Sequence, residues 1–186
     1  ESGLTPSVHP AARARIADVL DRFGITVEHR RFTAGDDDGL VLWAIASQVR
    51  DLAARSGLPV DADGRLVVDE HLRSTGDPRI FGAGDAAAVP AARPSCQAAL
   101  PQGAHAADNV VRELTGKQPR PFSMSYVGQN ISLGRRRAVI QTAHRDDRPR
   151  RFFFGGRSGA LFKEKVCAAA RKAAGTGRYW WMPGPS

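Results

Sequence analysis

RLVVDEHLRSTGDPRIFGAGDAAAVP (residues 65–90) and, four residues later, SCQAALPQGAHAADNVV (residues 95–111) form the stretch on which the fold turns. Leu66-Val-Val reads as a short strand, and Arg79-Ile-Phe-Gly82 as a second one that enters a Gly-x-Gly-Asp turn ending at Asp85. Glycines in such a turn tolerate positive φ and let a ligand come close to the backbone. An aspartate just past a strand can accept hydrogen bonds from a sugar-like polyol, and nearby backbone N–H groups can face a phosphate. Ser95 suits the N-cap of a long helix that runs to Leu114 and stops at Gly116. Pro101 is expected to kink or restart that helix early. Strand, turn and helix in this order belong to the α/β class.

Toward the N-terminus, Ser7 to Phe23 reads as a helix. Ile16, Val19, Leu20 and Phe23 fall on one face, and Gly24 ends it. A short strand is expected over Ile25-Thr-Val-Glu-His29, a turn at Asp36–Gly39 and a buried strand over Leu40–Ile45. Val49 to Ser56 reads as a short helix stopped by Gly57, and Asp61–Gly64 as a tight turn. Pro119 and Pro121 mark a boundary. Beyond it, Ile131-Ser-Leu, Ala138-Val-Ile-Gln and Arg151-Phe-Phe-Phe read as antiparallel strands joined by charged turns. Leu161 to Ala174 reads as a helix, and the tail Arg178-Tyr-Trp-Trp-Met-Pro as irregular. The chain shows no internal repeat.

Composition narrows the classes. The 186 residues suit one or two small domains, and 42% hydrophobic content argues against wholesale disorder. No apolar run is long enough to span a bilayer as a helix, and the polar, proline-broken start carries no signal-peptide pattern. A cytoplasmic location is therefore expected. Two cysteines, Cys96 and Cys167, make neither a disulfide framework nor a four-cysteine zinc site. The five histidines show no metal spacing, so no metal site is expected. Cys96 at a helix start has the setting for a lowered thiol pKa, but a small buried residue is the simpler expectation. The net charge of +8 suits an anionic partner or merely an arginine-rich solvated surface. No nucleic-acid-binding motif accompanies it, and no nucleic-acid partner is expected.

Thr75 followed by Ile80, Phe81, Gly84 and Asp85 resembles the second flavin motif of the FAD-dependent pyridine nucleotide-disulfide oxidoreductases. The helix that follows is similar to one in type II NADH dehydrogenases with an Ala-Gln-x-Ala-x-Gln pattern. Gln97 and Ala99 match it, Cys96 stands for the alanine and Pro101 for the second glutamine. Gln102 lies one position further on, facing another way. The resemblance implies that Asp85 holds the ribityl chain or pyrophosphate of FAD. It also implies that the helix start points at the isoalloxazine, favouring negative charge there. The cofactor-binding residues so implied are Thr75, Gly84, Asp85, Ser95, Cys96, Gln97 and Ala98, with Gln97 at the reacting centre. Trp43-Ala-Ile-Ala-Ser47 is similar to the segment beside the nicotinamide, with Ala46 at the family's glycine position. The Thr33–Gly39 loop is shorter than the family's hairpin.

The fold so implied is α/β, the remnant of a two-dinucleotide-binding FAD/NAD(P) fold followed by a small α+β C-terminal domain. Its divisions are a partial NAD(P)H-binding-like segment over 1–58, the C-terminal part of an FAD domain over 59–118 and an interface domain over 119–186. No Gly-x-Gly-x-x-Gly occurs after a strand. In the family both such loops precede the part resembled here, so a fragment or a natural truncation is expected. Tyr126 to Arg135 resembles a segment of the interface domain, and Phe152-Phe-Phe154 is expected in its core, with a dimer contact as the second reading. Lys163-Glu-Lys-Val and Tyr179-Trp-Trp181 suggest peripheral contact with a membrane surface, or ordinary packing. The implied activity is NAD(P)H oxidation through FAD, with a quinone or another small-molecule acceptor. The alternative is a non-redox remnant that serves as a binding module or a stand-alone biosynthetic catalyst.

Overall fold

The computed structural model describes residues 4–30, 33, 39–42, 44, 49–177 and 179–185. Helices and sheet are mixed, and the chain divides into two compact units: Glu1–Ala46 with Tyr126–Cys167, and Ser47–Ser125 with Ala168–Ser186.

In the first unit, α1 (Pro10–Arg22) starts later than its apolar pattern suggests. Pro10 supplies the preset φ of a first helical residue, and His9 Nδ1 caps it by accepting from the Ala11 amide at 3.3 Å. Gly24, at φ +67, follows the end of the helix. Strands β3 (Gly128–Ser132), β4 (Ala138–Ala143) and β5 (Pro149–Gly155) form an antiparallel meander in the order β3-β4-β5. β4 is central and buried along nearly its whole length. The two-residue period sends Val139 into a cluster with Val8, Ala12 and Ile16 of the α1 region, and Ala138 and Ile140 into another with Ala160. Ala160 belongs to α4 (Gly156–Thr176). There Gly159 lies so close to β4 that an added Cβ would sit 3.0 Å from the Ala138 carbonyl oxygen.

Gln141, also buried on β4, is fully used. Its Oε1 accepts from the His9 amide at 3.1 Å, and its Nε2 donates to the carbonyls of Thr142 and Arg150 at 2.8 and 2.6 Å. A buried amide side chain demands such partners.

Two expected strands of this unit do not form among the described residues. Ile25–His29 has no strand ladder and is exposed. Leu40 and Leu42 are 88% and 79% exposed, so the described part of 40–45 is not a buried strand; Trp43 and Ile45 lie outside the described residues. An apolar run becomes a strand only beside a neighbour that completes its ladder, and no described strand offers one. Phe152 is 65% exposed rather than core, whereas Phe153 and Phe154 pack on the two faces of β4. Successive strand residues point to opposite faces, so three phenylalanines in a row cannot share one core.

In the second unit, the short α2 (Leu52–Arg55) precedes β1 (Leu66–Val67), which pairs in parallel with β2 (Ala87–Ala88). Leu66, Val68, Leu72, Ala87, Val89 and Ala106 form the core. The expected strand at Arg79–Gly82 does not form: Arg79 belongs to a turn from Asp77, and the segment makes a single bridge, Arg73 to Phe81. The regular strand of this region, β2, follows the Gly-Asp turn instead of entering it.

Two turns eight residues apart share one geometry. Asp61 and Asp69 each accept the amides two and four residues on, at 2.9 to 3.0 Å, and each grips the arginine at +4, Arg65 or Arg73. The fourth residue is left-handed in both: Gly64 at φ +78 and Leu72 at φ +67.

α3 (Cys96–Leu114) runs unbroken through Pro101. Pro101 neither ends nor restarts it, although it has no N–H for the Gln97 carbonyl. Asn109, fully buried on α3, donates to the carbonyls of His71 and Arg120 and accepts from the Arg120 amide, each at 2.9 Å. The tail after α4 lacks regular structure but is tied down. The Trp181 indole N–H donates to the Ser123 carbonyl at 3.0 Å, and the Ser125 amide to that of Met182 at 2.9 Å.

Candidate functional site

The site is built where the residues after Phe81 meet the first turns of α3. Gly84, Asp85 and Ala86 make a single 3-10 turn, entered from an extended Ala83 and left into β2. Gly84 sits at φ +71, a conformation that excludes most side chains, and a Cβ built on it would lie 3.4 Å from the Ala99 methyl group. Gly82 is confined as well. A Cβ there would come within 2.8 Å of Leu66 and 3.1 Å of Val68, so only glycine lets this segment pass over β1.

Gln102 pins the turn to the helix. Its side chain is 2% exposed, and its Oε1 accepts from the Gly84 amide at 2.7 Å. Gln102 thus stands seven residues before Asn109 on the buried stripe of α3, with Ala98 and Ala106. A polar residue at a core position of an amphipathic helix implies a buried partner, and that periodicity was the available signal for both. In the resembled helix pattern Gln102 lies one position past that of the second glutamine. Its direction away from the Gln97 face is what brings it to Gly84.

The helix start is capped as expected. Ser95 is extended, and its Oγ accepts from the Ala98 amide at 3.2 Å. Ala98 is buried, Gln97 is partly exposed, and Cys96 is exposed instead of packed. At the first helical position after the cap its side chain projects to solvent, opposite the buried stripe. Ser95, Cys96, Gln97 and Ala98 are therefore contiguous, with Gly84 and Asp85 brought against the next turn at Ala99 and Gln102. Thr75 is exposed, and its amide donates to the Val67 carbonyl of β1 at 3.2 Å. Ala46 and Ser47 lie outside the described residues.

The aspartates of this unit divide into two kinds. Arg79, through its side chain and its amide, holds the Asp77 carboxyl down at about 2. The Arg65 amide and guanidinium lower that of Asp61. Burial works to raise Asp69, but the amides of Arg73 and His71 outweigh it and the net shift is downward. Those carboxylates are committed to their own turns. Asp85 is exposed and accepts no hydrogen bond from the described residues. It stands beside a pinned glycine turn and one turn from a helix N-terminus, where an anion-tolerant, hydrogen-bonding ligand can be met by both a carboxylate and a positive dipole end. No group of three or more His, Cys, Asp or Glu suited to a metal occurs among the described residues. No described helix is long and apolar enough to cross a membrane.

Known proteins match this part of the chain. A probable NADH dehydrogenase of Dictyostelium discoideum is 28% identical over 108 residues, 56% of this chain and 24% of that protein. A type II NADH:quinone oxidoreductase of Mycobacterium tuberculosis is 33% identical over 143 residues, 69% of this chain and 29% of that protein. An NADH dehydrogenase-like protein of the same species is 35% identical over 104 residues, 53% and 26% of the two chains. The chain thus spans less than a third of the length of these relatives. The pyridine nucleotide-disulphide oxidoreductase family matches over residues 4–107, from before α1 to the middle of α3 and through the whole Gly84–Gln102 junction. With more than half of its residues so matched, the chain belongs to that family.

Proposed function

We propose that this chain is the C-terminal portion of an FAD-dependent NAD(P)H oxidoreductase, and that its part is to hold the flavin between the Gly84–Asp85 turn and the start of α3. One observation carries the reading. Asp61, Asp69 and Asp77 are claimed by arginines, whereas Asp85, on a turn that Gln102 fixes to α3, accepts nothing from the described residues. The donor set suits FAD: a carboxylate for ribityl hydroxyls and a helix start for the electron-rich ring edge. Bound there, FAD would supply the two-electron chemistry that joins NAD(P)H to an acceptor. Asp85 orients the cofactor, Gly84 allows close approach, and Ser95 keeps the first turn of α3 formed. Gln97, on that first turn, faces the reacting end.

The division into an NAD(P)H-binding-like segment (1–58), an FAD-domain portion (59–118) and an interface domain (119–186) belongs to the same proposal. So do the remnant two-dinucleotide fold, a quinone acceptor, a homodimer and peripheral contact with the cytoplasmic face of a membrane. The Mycobacterium tuberculosis relative, named a quinone oxidoreductase, supports the choice of acceptor.

The test is titration of the purified protein with FAD, followed by quenching of flavin fluorescence. Asp85→Ala is expected to weaken binding about tenfold or more, since hydrogen bonds to a charged group contribute about 1.5–3 kcal/mol. Asp108→Ala, an exposed change on α3, should leave binding unchanged. Equal affinity of Asp85→Ala and the parent would remove the reading. A folded protein without affinity for FAD would favour the non-redox remnant.

A further inference from the structure

We infer a second ligand site in the first unit: a cleft for a phosphate-bearing anion, between the β3–β4 turn and the first half of α4. The turn is closed by the Leu133 amide donating to the Arg137 carbonyl at 2.9 Å, which puts Arg135 and Arg136 at its tip. Gly159 and Ala160, small and buried, let α4 lie close on β4. The helix stripe Arg157, Ala160, Leu161 and Glu164 then faces Arg135 and Arg136 across a cleft of about 320 Å³. A second cleft of about 310 Å³ shares Arg135, Ala160 and Glu164 with it and adds Lys163. Four cations thus line two clefts that share Arg135 and Ala160, with Glu164 the one carboxylate between them.

What separates these cations from other unpaired basic groups, such as Arg151, Lys165 and Arg171, is that they converge on these clefts. Arg15 and Arg22 share Asp18, Arg73 takes Asp69 and Glu113, and Arg148 takes Asp146. Arg135, Arg136, Arg157 and Lys163 make no ion pair or hydrogen bond with the described residues. Three guanidinium forks around a concave, partly apolar floor match the acceptor geometry of a di- or polyphosphate that carries an organic group. The ligand is either a soluble phosphate compound or a phospholipid headgroup. In both the recognised chemistry is the phosphate.

Calorimetric titration of the protein with inorganic pyrophosphate tests the site. The expected result is saturable binding that the Arg135→Ala/Arg136→Ala/Arg157→Ala variant weakens by about tenfold or more. A charge-matched control, Arg151→Ala/Lys165→Ala/Arg171→Ala, should bind as the parent does. Both variants should keep the parent's circular dichroism. Co-sedimentation with phosphatidylglycerol–phosphatidylcholine vesicles identifies the source. Sedimentation that pyrophosphate reverses, and that the cleft variant loses, marks a headgroup site. Saturable pyrophosphate binding without sedimentation marks a soluble ligand. No saturable pyrophosphate binding, or equal loss in the cleft and control variants, would overturn the site and leave only a diffuse basic surface.

Discussion

Gln102 and Leu72 show how much single residues decide. Gln102 shields and satisfies the Gly84 amide. Truncation to alanine leaves that N–H without its partner, a loss on the order of 1–3 kcal/mol. Gln102→Ala is therefore expected to lower the melting temperature and to weaken FAD binding as well, because the turn that presents Asp85 loses its anchor. Gln102→Glu keeps an acceptor and should restore most of both. If Gln102→Ala reduces stability while flavin affinity stays at the parent value, the turn does not depend on this anchor. Leu72 is fully buried at φ +67, where a β-carbon costs about 1–2 kcal/mol. Its side chain, embedded in the β1–β2 core, must return more than that. Leu72→Ala should destabilise by about 2–5 kcal/mol in denaturant titration. A loss near zero would mean that the core closes around the gap.

At the scale of elements, the second unit is punctuated by aspartate-clipped turns, at Asp61, Asp69 and Asp77, and the first unit has another at Asp146. In the last, the Arg148 amide and guanidinium lower the carboxyl. All four folded-state values lie below the ordinary 3.8, and Asp77 reaches about 2. A depressed folded value means that the unfolded chain binds the proton more tightly. The contribution of these turns is thus whole above pH of about 4 and is lost as pH falls toward 2. Thermal melts taken from pH 5 down to pH 2 should show a falling midpoint, with a shallower fall in Asp69→Asn. A midpoint insensitive to acid over that range would contradict this role. The recurring turn was hidden in the sequence, because Gly64 announces it and Leu72 does not. The Ser95 cap of α3, by contrast, was legible in the sequence. Replacing that cap by alanine should cost about 1 kcal/mol, read from chemical denaturation.

At the scale of the whole molecule, burial in the first unit is concentrated on β4, with apolar clusters on both faces, and is sparse along Phe23–Arg30; the second unit has its own core around Leu66, Leu72 and Ala87. Amide exchange followed by mass spectrometry should find Val139–Gln141 among the slowest peptides and Ile25–His29 among the fastest. Comparable protection in the two would place a strand at 25–29 after all. The three meander strands were readable from β-branched and aromatic runs near charged turns. The same reading failed at 25–29 and 40–42, since alternation reports what a strand would bury and not whether a neighbour exists to pair with it. Phe152 lies on the same face as Phe154 but stays exposed, beside the point where the β4–β5 register shifts between Gln141 and Ala143.

The amino-acid sequence alone pointed to the family, through the resemblance carried by Thr75, Ile80, Phe81, Gly84, Asp85 and Gln97, and determined the local elements whose signals are short-range: caps, positive-φ glycines and helix faces. Tertiary structure alone decided which side chains meet across long separations. It set Gln102 on Gly84, Asn109 on His71 and Arg120, Gln141 on His9, and the arginines of one turn opposite a helix stripe. Those pairings depend on how elements pack in space, and spacing along a chain carries no measure of that.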